Sequence, residues 1–352
     1  MSVSSDRPVV LVTAVGAPPG LNALRALVES QRYQIVACDA EASSPGLYQF
    51  GVPNKVVPLA VAEPEEYLRV LQGVILKHGV QFVLPCIEGE VELLAERHRD
   101  IEVSGARVLL PDLGTVASAT DKFRATQTAL KCGLPCPATI LIPRVEALDQ
   151  RLAAVKNFLS NCPPPWIIKP VQGHGMKNVE TILSVDAAME YVKTVAHDVL
   201  LQEKIPGPVG SMHLVGLIYD SEGRVTRRFS SRSIRTLYPG GGPATGGVSL
   251  VNEALVANTE KLINSIGTWR GPANVEWMID PRDGQFKFIE INPRLWGYGY
   301  LAVGAGTNFP VTTVELGLGH EVGSDPGFRA GVTMLRTTTD LIFEECPFEL
   351  RH

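Results

Sequence analysis

Residues Asn274-Val275-Glu276-Trp277-Met278-Ile279 and Phe286-Lys287-Phe288-Ile289-Glu290-Ile291-Asn292-Pro293-Arg294 flank the turn Asp280-Pro281-Arg282-Asp283-Gly284. Two apolar-rich runs joined by Pro/Asp/Gly predict an antiparallel hairpin. Side chains alternate faces along a strand, so Glu290 and Asn292 share one face, and Asn274 and Glu276 share one on the partner. Two carboxylates and an amide oxygen gathered at one spot are hard ligands. With phosphate oxygens completing the shell, magnesium is held this way in nucleotide sites. Arg294, just beyond, offers a planar fork to anionic oxygens. A hairpin with a solvated polar face carries the same signature, so the motif gains meaning only from its company.

That company lies upstream. Trp166-Ile167-Ile168-Lys169-Pro170 puts a lysine at a strand end, before the loop Val171-Gln172-Gly173-His174-Gly175-Met176. Glycines admit phosphate to backbone amides and a lysine neutralises it. No Gly-Lys-Ser/Thr follows, so this is not a Walker A loop, and alone it reads equally as a β-turn. Lys122 opens a helix, where a cation is electrostatically unfavourable. Asp121 offsets part of that cost, and a solvated lysine remains the alternative. Leu200-Leu201-Gln202-Glu203-Lys204-Ile205-Pro206-Gly207 is a buried strand running into a polar hinge, able to meet an adenine edge or simply to connect subdomains. Arg232 and Arg235 precede Pro239-Gly240-Gly241-Gly242-Pro243 and either clamp a second anion or solvate a strand. Glu88 and Glu90, after the strand at 80–85, are candidates for facing a cleft, with a helix N-terminal charge effect as the alternative. Trp296 follows the metal strand, as pocket wall or as core.

The elements that must position these groups fall into two styles. Pro8 to Val15 reads as a buried strand, followed by a turn at 16–20 and a helix from about Leu21 to Ser30. A strand from Tyr33 to Cys38, a helix over 64–78 ending at Gly79, a strand at 80–85 and a helix near Glu90 to Arg97 complete a parallel α/β layer. The glycine spacing at 16–20 fits a dinucleotide loop poorly, so this Rossmann-like layer need not bind a cofactor. Pro111 to Thr115 is turn chemistry and marks a boundary. A helix runs from Thr120, its candidate N-cap, to Cys132. Beyond it, strand pairs with polar turns predict an α+β region.

The chain has 352 residues, 45% hydrophobic and 20% charged, enough for two or three packed domains. Thirty-two basic against 37 acidic residues give a net charge of -5 without charge blocks. That predicts neither nucleic-acid nor membrane partners. No stretch approaches the roughly 20 apolar residues of a membrane span. No secretory leader is apparent at the start, and six cysteines without dense spacing suit reduced thiols. Cys132 and Cys136 lack a second ligand pair for zinc. A cytoplasmic protein is expected.

In this order, Asp121-Lys122, Ile168-Lys169-Pro170 with its glycine loop, Gln202 to Gly207 and Glu290-Ile291-Asn292-Pro293-Arg294 resemble the ATP-grasp superfamily. The similarity is greatest to its carbamoyl-phosphate-synthase-like carboxylate–amine ligases and covers nearly the whole chain. The resemblance implies a Rossmann-like pre-ATP-grasp domain at 1–114, a small subdomain with a lid at 115–200 and a large subdomain with the metal site at 201–352. It further implies that Lys122 and Lys169 contact ATP phosphates under a loop formed by Gly173, His174, Gly175 and Met176. Gln202, Glu203, Lys204 and Ile205 would line the adenine site. Glu276, Glu290 and Asn292 would ligate one or two Mg2+ ions, with Mn2+ as the expected substitute. Arg294 would stabilise the transferring phosphoryl group beside Lys169. From their places in the sequence, Arg232 and Arg235 are expected as further catalytic cations, and Glu88, Glu90 and Trp296 as substrate contacts. The implied activity joins a small carboxylic acid or amino acid to an amine through an acyl phosphate, in a protein with small-molecule partners and a homodimer as default assembly. A phosphotransferase or a non-catalytic nucleotide-binding regulator are the alternatives. Family members usually carry an acidic residue after the hinge glycine for ribose. Here Pro208-Val209-Gly210 follows Gly207, leaving that contact open.

Overall fold

The computed structural model describes residues 7–173, 179–238 and 241–348, and among these the strands form three sheets. The first region contains β1 (Val9–Val12), α1 (Pro18–Ser30), β2 (Gln34–Asp39), β3 (Asn54–Val56), α2 (Pro64–His78), β4 (Phe82–Leu84), α3 (Glu88–Glu96) and α4 (His98–Val103). Its sheet has the order β3-β2-β1-β4, parallel throughout. Both faces are covered, as a parallel sheet requires. Leu11, Val36 and Val83 pack with Tyr67, Leu71 and Ile75 of α2. Val10, Val12, Ile35 and Phe82 point the other way, onto Leu24 and Leu27 of α1. Helix α1 begins at Pro18 rather than Leu21, because a proline in the first turn lacks only an N–H that would have no helical partner. Gly20 is required there: a Cβ would lie 2.2 Å from the Ala14 carbonyl oxygen.

The chain then forms α5 (Leu113–Thr120), α6 (Lys122–Lys131), β5 (Thr139–Ile142), α7 (Leu148–Asn161), β6 (Trp166–Pro170), β7 (Glu180–Ile182), α8 (Val185–Thr194) and β8 (Val199–Glu203). The helix expected from Thr120 to Cys132 is α6, and a further helix, α5, precedes it where turn chemistry was expected. Asp121 caps α6, accepting from Phe123 N at 3.0 Å and Arg124 N at 2.9 Å, so the cap is Asp121 and not Thr120. Strands β5-β8-β6-β7 form an antiparallel sheet over α7 and α8.

The last sheet has the order β13-β12-β9-β10-β11-β14, all antiparallel. Its strands are β9 (Met212–Tyr219), β10 (Val225–Tyr238), β11 (Gly241–Ser249), β12 (Gly271–Ile279), β13 (Phe286–Asn292) and β14 (Thr333–Leu335), with helices α9 (Glu253–Ile266), α10 (Tyr300–Ala305) and α11 (Phe309–Leu318). One face, with Val215, Leu217, Val275 and Trp277, packs on α6 and α9. The other, with Leu214, Ile218 and Phe229, shares one core with α1, α10, α11 and the parallel layer. Gly317 of α11 sits so close to Phe82 that a Cβ would fall 1.9 Å from the ring. That close packing holds the end of the parallel layer against the sheet face bearing Glu276. No helix among the described residues is long and apolar enough to cross a membrane.

Candidate active site

The β12–β13 register puts Glu276 directly opposite Glu290 and Asn274 opposite Asn292, with an irregularity just after Glu276. Arg294 folds back onto this end of the hairpin: its Nη2 donates to Asn292 Oδ1 at 2.7 Å and its Nη1 to the Leu295 carbonyl at 3.0 Å. Asn292 Nδ2 in turn donates to Glu290 Oε1 at 3.2 Å. Burial, then the charge of Glu290, push the Glu276 carboxyl well above its ordinary range. Arg294, Lys169 and Lys122 act in the opposite direction.

Lys169 stands at the end of β6, and burial lowers its ammonium to about 8 although Glu290 and Glu276 favour the charge. Lys122, in the first turn of α6, reaches across to donate from Nζ to the Gly173 carbonyl. Both lysines thus share the electrostatic neighbourhood of the hairpin carboxylates. His174, Gly175 and Met176 lie outside the described residues.

Glu88 is buried beside this cluster, its carboxyl raised to about 7 by burial, while Lys122 and Arg294 counter that rise. Glu90 does not accompany it. It is only 3% exposed and accepts hydrogen bonds from Thr13 Oγ1 and, at 3.1 Å, from Tyr67 OH inside the parallel layer. The expectation that Glu90 meets substrate is thus corrected: its oxygens are bonded within the core. Trp296 is a second correction. It is 1% exposed, stacks on Phe229 and packs edge-on against Phe309, in core and not in a pocket. Arg232 and Arg235 stand exposed on β10, Arg232 on the opposite face from buried Ser231 and Ser233. Neither figures among the charges acting most strongly on Glu276, Glu88 or Lys169.

At the hinge, Gln202 is buried on β8 and donates to Thr139 Oγ1 at 2.8 Å. The Glu203 carboxylate accepts from the Ala138 amide at 3.2 Å and pairs with Arg282 at 2.5 Å, so both its oxygens are engaged within the protein. Lys204 Nζ donates to Thr181 Oγ1 at 3.2 Å, and Ile205 is buried.

Two groups, Tyr298 and Arg282, were not anticipated as part of the site, and Asn274 was expected only to share a face with Glu276. Asn274 is buried with no hydrogen-bond partner for Oδ1. Tyr298 is buried next to Glu276, its hydroxyl 3.3 Å from Ser231 Oγ. Arg282 joins the hairpin turn to the hinge. The period-2 alternation of β12 already placed Asn274 with Glu276, whereas Tyr298 and Arg282 depend on tertiary contacts without a sequence signal.

Asp39, which a dinucleotide site would direct to a ribose, accepts instead from Gly16 N at 2.6 Å, Ser44 Oγ at 2.6 Å and Glu41 N at 2.9 Å. The described cysteines are all free thiols. No group of three or more His, Cys, Asp or Glu among the described residues is placed to hold a metal ion. The donor set at the hairpin, two opposed carboxylates with amide oxygens, fits a hard divalent cation whose remaining ligands come from phosphate or water. The rise that Glu290 helps impose on Glu276 and the unsatisfied Asn274 Oδ1 are what such a cation would relieve.

A sequence model of the ATP-grasp domain matches residues 119–298, a little over half of the chain. Pyruvate carboxylase of Aspergillus niger is 27% identical over 264 residues, covering 70% of this chain and 21% of that protein. The carbamoyl phosphate synthase large chain of a Thermotoga species is 24% identical over 340 residues, 90% of this chain and 29% of that protein. The chain thus spans about a fifth to a third of the length of these relatives. Among solved structures, the L-amino acid ligase of Bacillus licheniformis superposes with TM-score 0.64 at 16% identity, covering 90% of this chain and 75% of that one. Biotin carboxylase of Campylobacter jejuni gives TM-score 0.68 at 16% identity, with coverages of 92% and 74%. At such identities the likeness is one of fold.

Proposed function

The chain belongs to the ATP-grasp family, and from that premise we propose that it is an ADP-forming ligase joining a small carboxylic acid, or an amino acid, to an amine. The observation that carries the reading is the directly opposed Glu276–Glu290 pair with Lys169, Lys122 and Arg294 around it. Phosphoryl transfer needs little covalent help from a protein. It needs positioning and neutralisation of charge on the transferring oxygens, and these groups provide both. Magnesium held by Glu276, Glu290 and Asn292 would neutralise phosphate oxygens of ATP.

In the first step an acid oxygen attacks the γ-phosphorus, the bond to ADP breaks, and an acyl phosphate forms. In the second the amine attacks the acyl carbon, phosphate leaves, and the amine proton passes to solvent. Lys169 and Lys122 would hold the phosphates, and Arg294, fixed by Asn292 and the Leu295 carbonyl, would sit where negative charge develops. Holding acid and amine together replaces a bimolecular encounter by an effectively intramolecular one. Glu88 is the acidic group best placed to meet the substrates, since it shares the electrostatic neighbourhood of Lys122 and Arg294. We assign residues 1–114 to a pre-ATP-grasp layer, the four-stranded sheet with α7 and α8 to the small ATP subdomain and the six-stranded sheet to the metal-bearing subdomain. The expected limits of 115–200 and 201–352 shift, because β8 runs to Glu203 in the small sheet and α6 packs on the large one. Hinge residues 202–205 would take adenine.

The test is product analysis with Mg-ATP, a pooled amino-acid panel and hydroxylamine. ADP, phosphate and a hydroxamate are expected. AMP and pyrophosphate would overturn the mechanism.

A further inference from the structure

The turn Asp280–Gly284 lies far along the hairpin from Glu276 and Glu290, yet it carries a built ionic lock. Arg282 grips Asp280 with two prongs, Nε to Oδ1 at 2.9 Å and Nη2 to Oδ2 at 2.6 Å. The same Nη2 is 2.5 Å from Glu203 Oε1. Asp280 is fixed from below: its side chain is 1% exposed, and its Oδ1 also accepts from the Arg282 amide at 3.0 Å. Its carboxyl is held down at about 2, chiefly by the Arg282 bond. Glu203 is fixed from above, since Oε2 accepts from Ala138 N at 3.2 Å while Glu203 N donates to Ala138 O at 2.8 Å.

Glu203 is the last residue of β8, where the four-stranded sheet hands the chain over to β9 of the six-stranded one. Arg282 therefore ties the turn of the β12–β13 hairpin, in the six-stranded sheet, to the last residue of the four-stranded one. A partly exposed ion pair stabilises a fold little. A bidentate guanidinium with a second carboxylate in its fork sets an orientation. We propose that Arg282, bridging Asp280 and Glu203, is the positioning residue that fixes the hinge backbone for the base edge of a purine nucleotide. This inference depends on the hinge being the adenine site.

The experiment compares the intact protein with Arg282→Ala and Arg282→Lys, using ATP and GTP by calorimetry and by steady-state ADP release. For Arg282→Ala the expected result is a roughly tenfold rise in Kd and KM for ATP, kcat within twofold, and a reduced preference for ATP over GTP. Arg282→Lys, which keeps charge but not the fork, should recover part of both, and it carries the test if the alanine variant does not fold. ATP affinity and base preference unchanged in both variants would overturn the proposal, as would kcat falling in step with affinity. A wild-type protein that binds ATP and GTP equally would instead overturn the adenine-site reading, and this proposal with it.

Discussion

Glu90, buried in the parallel layer, and Glu276, half-buried on the hairpin, both have carboxyls raised by lost solvation. Their neighbours make them different objects. Around Glu90 stand neutral donors, Thr13 and Tyr67, whose hydroxyls lie within hydrogen-bonding reach of its oxygens. Nearby Asp39 is likewise satisfied by backbone amides and Ser44. Around Glu276 stand another carboxylate, two lysines and an arginine, with Asn274 Oδ1 left without a partner. Burial with complete neutral satisfaction builds a fold. Burial with opposed charges and an unsatisfied acceptor leaves work for a ligand.

The sharpest way to break this contrast is to remove one charge from the hairpin. Glu290→Gln should lower ADP formation by about two to three orders of magnitude, the scale seen when one preorganised transition-state contact is lost. Its melting temperature should hold or rise, because the variant removes a repulsion from Glu276. Activity within tenfold of wild type would sink the metal assignment.

The matching change in the parallel layer should alter stability and leave nucleotide binding alone. Glu90 is raised to about 7 from an ordinary carboxyl value. The folded state therefore binds the proton more tightly, and stability from this group is present below about pH 4.5 and is lost as pH rises through about 7. The loss amounts to about 3 kcal/mol by pH 8. Glu90→Gln should flatten that part of the melting-temperature profile and be more stable than wild type at pH 8, with ATP Kd unchanged. A profile with the same slope in the variant would assign the pH dependence elsewhere.

How far the sequence already distinguished these two glutamates depends on where α3 begins. Glu88 and Glu90 are two residues apart, about 200° around a helix, so they cannot both face one cleft. A start at Glu90 conceals this, whereas the observed start at Glu88 makes it plain. The hairpin was legible because alternation in a strand states which side chains share a face, but Glu276 opposite Glu290 was not: the turn register alone would pair Glu276 with Ile289, and the irregularity between Glu276 and Trp277 shifts it to Glu290. Region 139–352 hid more. Helix α9 has an Asn252 cap and Leu255, Thr259, Leu262 and Ile263 at helical spacing, but it sits between strand signals and was absorbed into them. The ion pairs of Arg282 and the placing of Trp296 are tertiary facts, decided by which sheets meet.

Lys169 tests the hairpin side more gently, through pH. With its ammonium lowered to about 8 by burial, the free enzyme loses this charge as pH rises through that value. The value of kcat/KM for ATP should then fall toward tenfold per pH unit above about 8, while kcat falls later because bound phosphate holds the proton on. Lys169→Arg, which cannot deprotonate in this range, should remove the fall from whatever activity it retains. A profile in that variant identical to wild type would show that another group titrates.

The smallest change expected concerns Trp296, which the sequence allowed on either side of the contrast. Its ring packs on Phe229 and Phe309, and a Cβ on Gly216 would fall 2.5 Å from it, so its surroundings are those of a core. Its Nε1 is buried without a partner. Trp296→Phe gives up packing volume but also removes an unsatisfied donor, and these terms oppose one another. The net cost should be about 1 kcal/mol in stability, read by denaturant titration, with kcat and every KM within twofold of wild type. A shifted KM for the acid or the amine, with stability unchanged, would move Trp296 from the core to the substrate side. It would also show that complete burial in the unliganded chain does not separate the two regions.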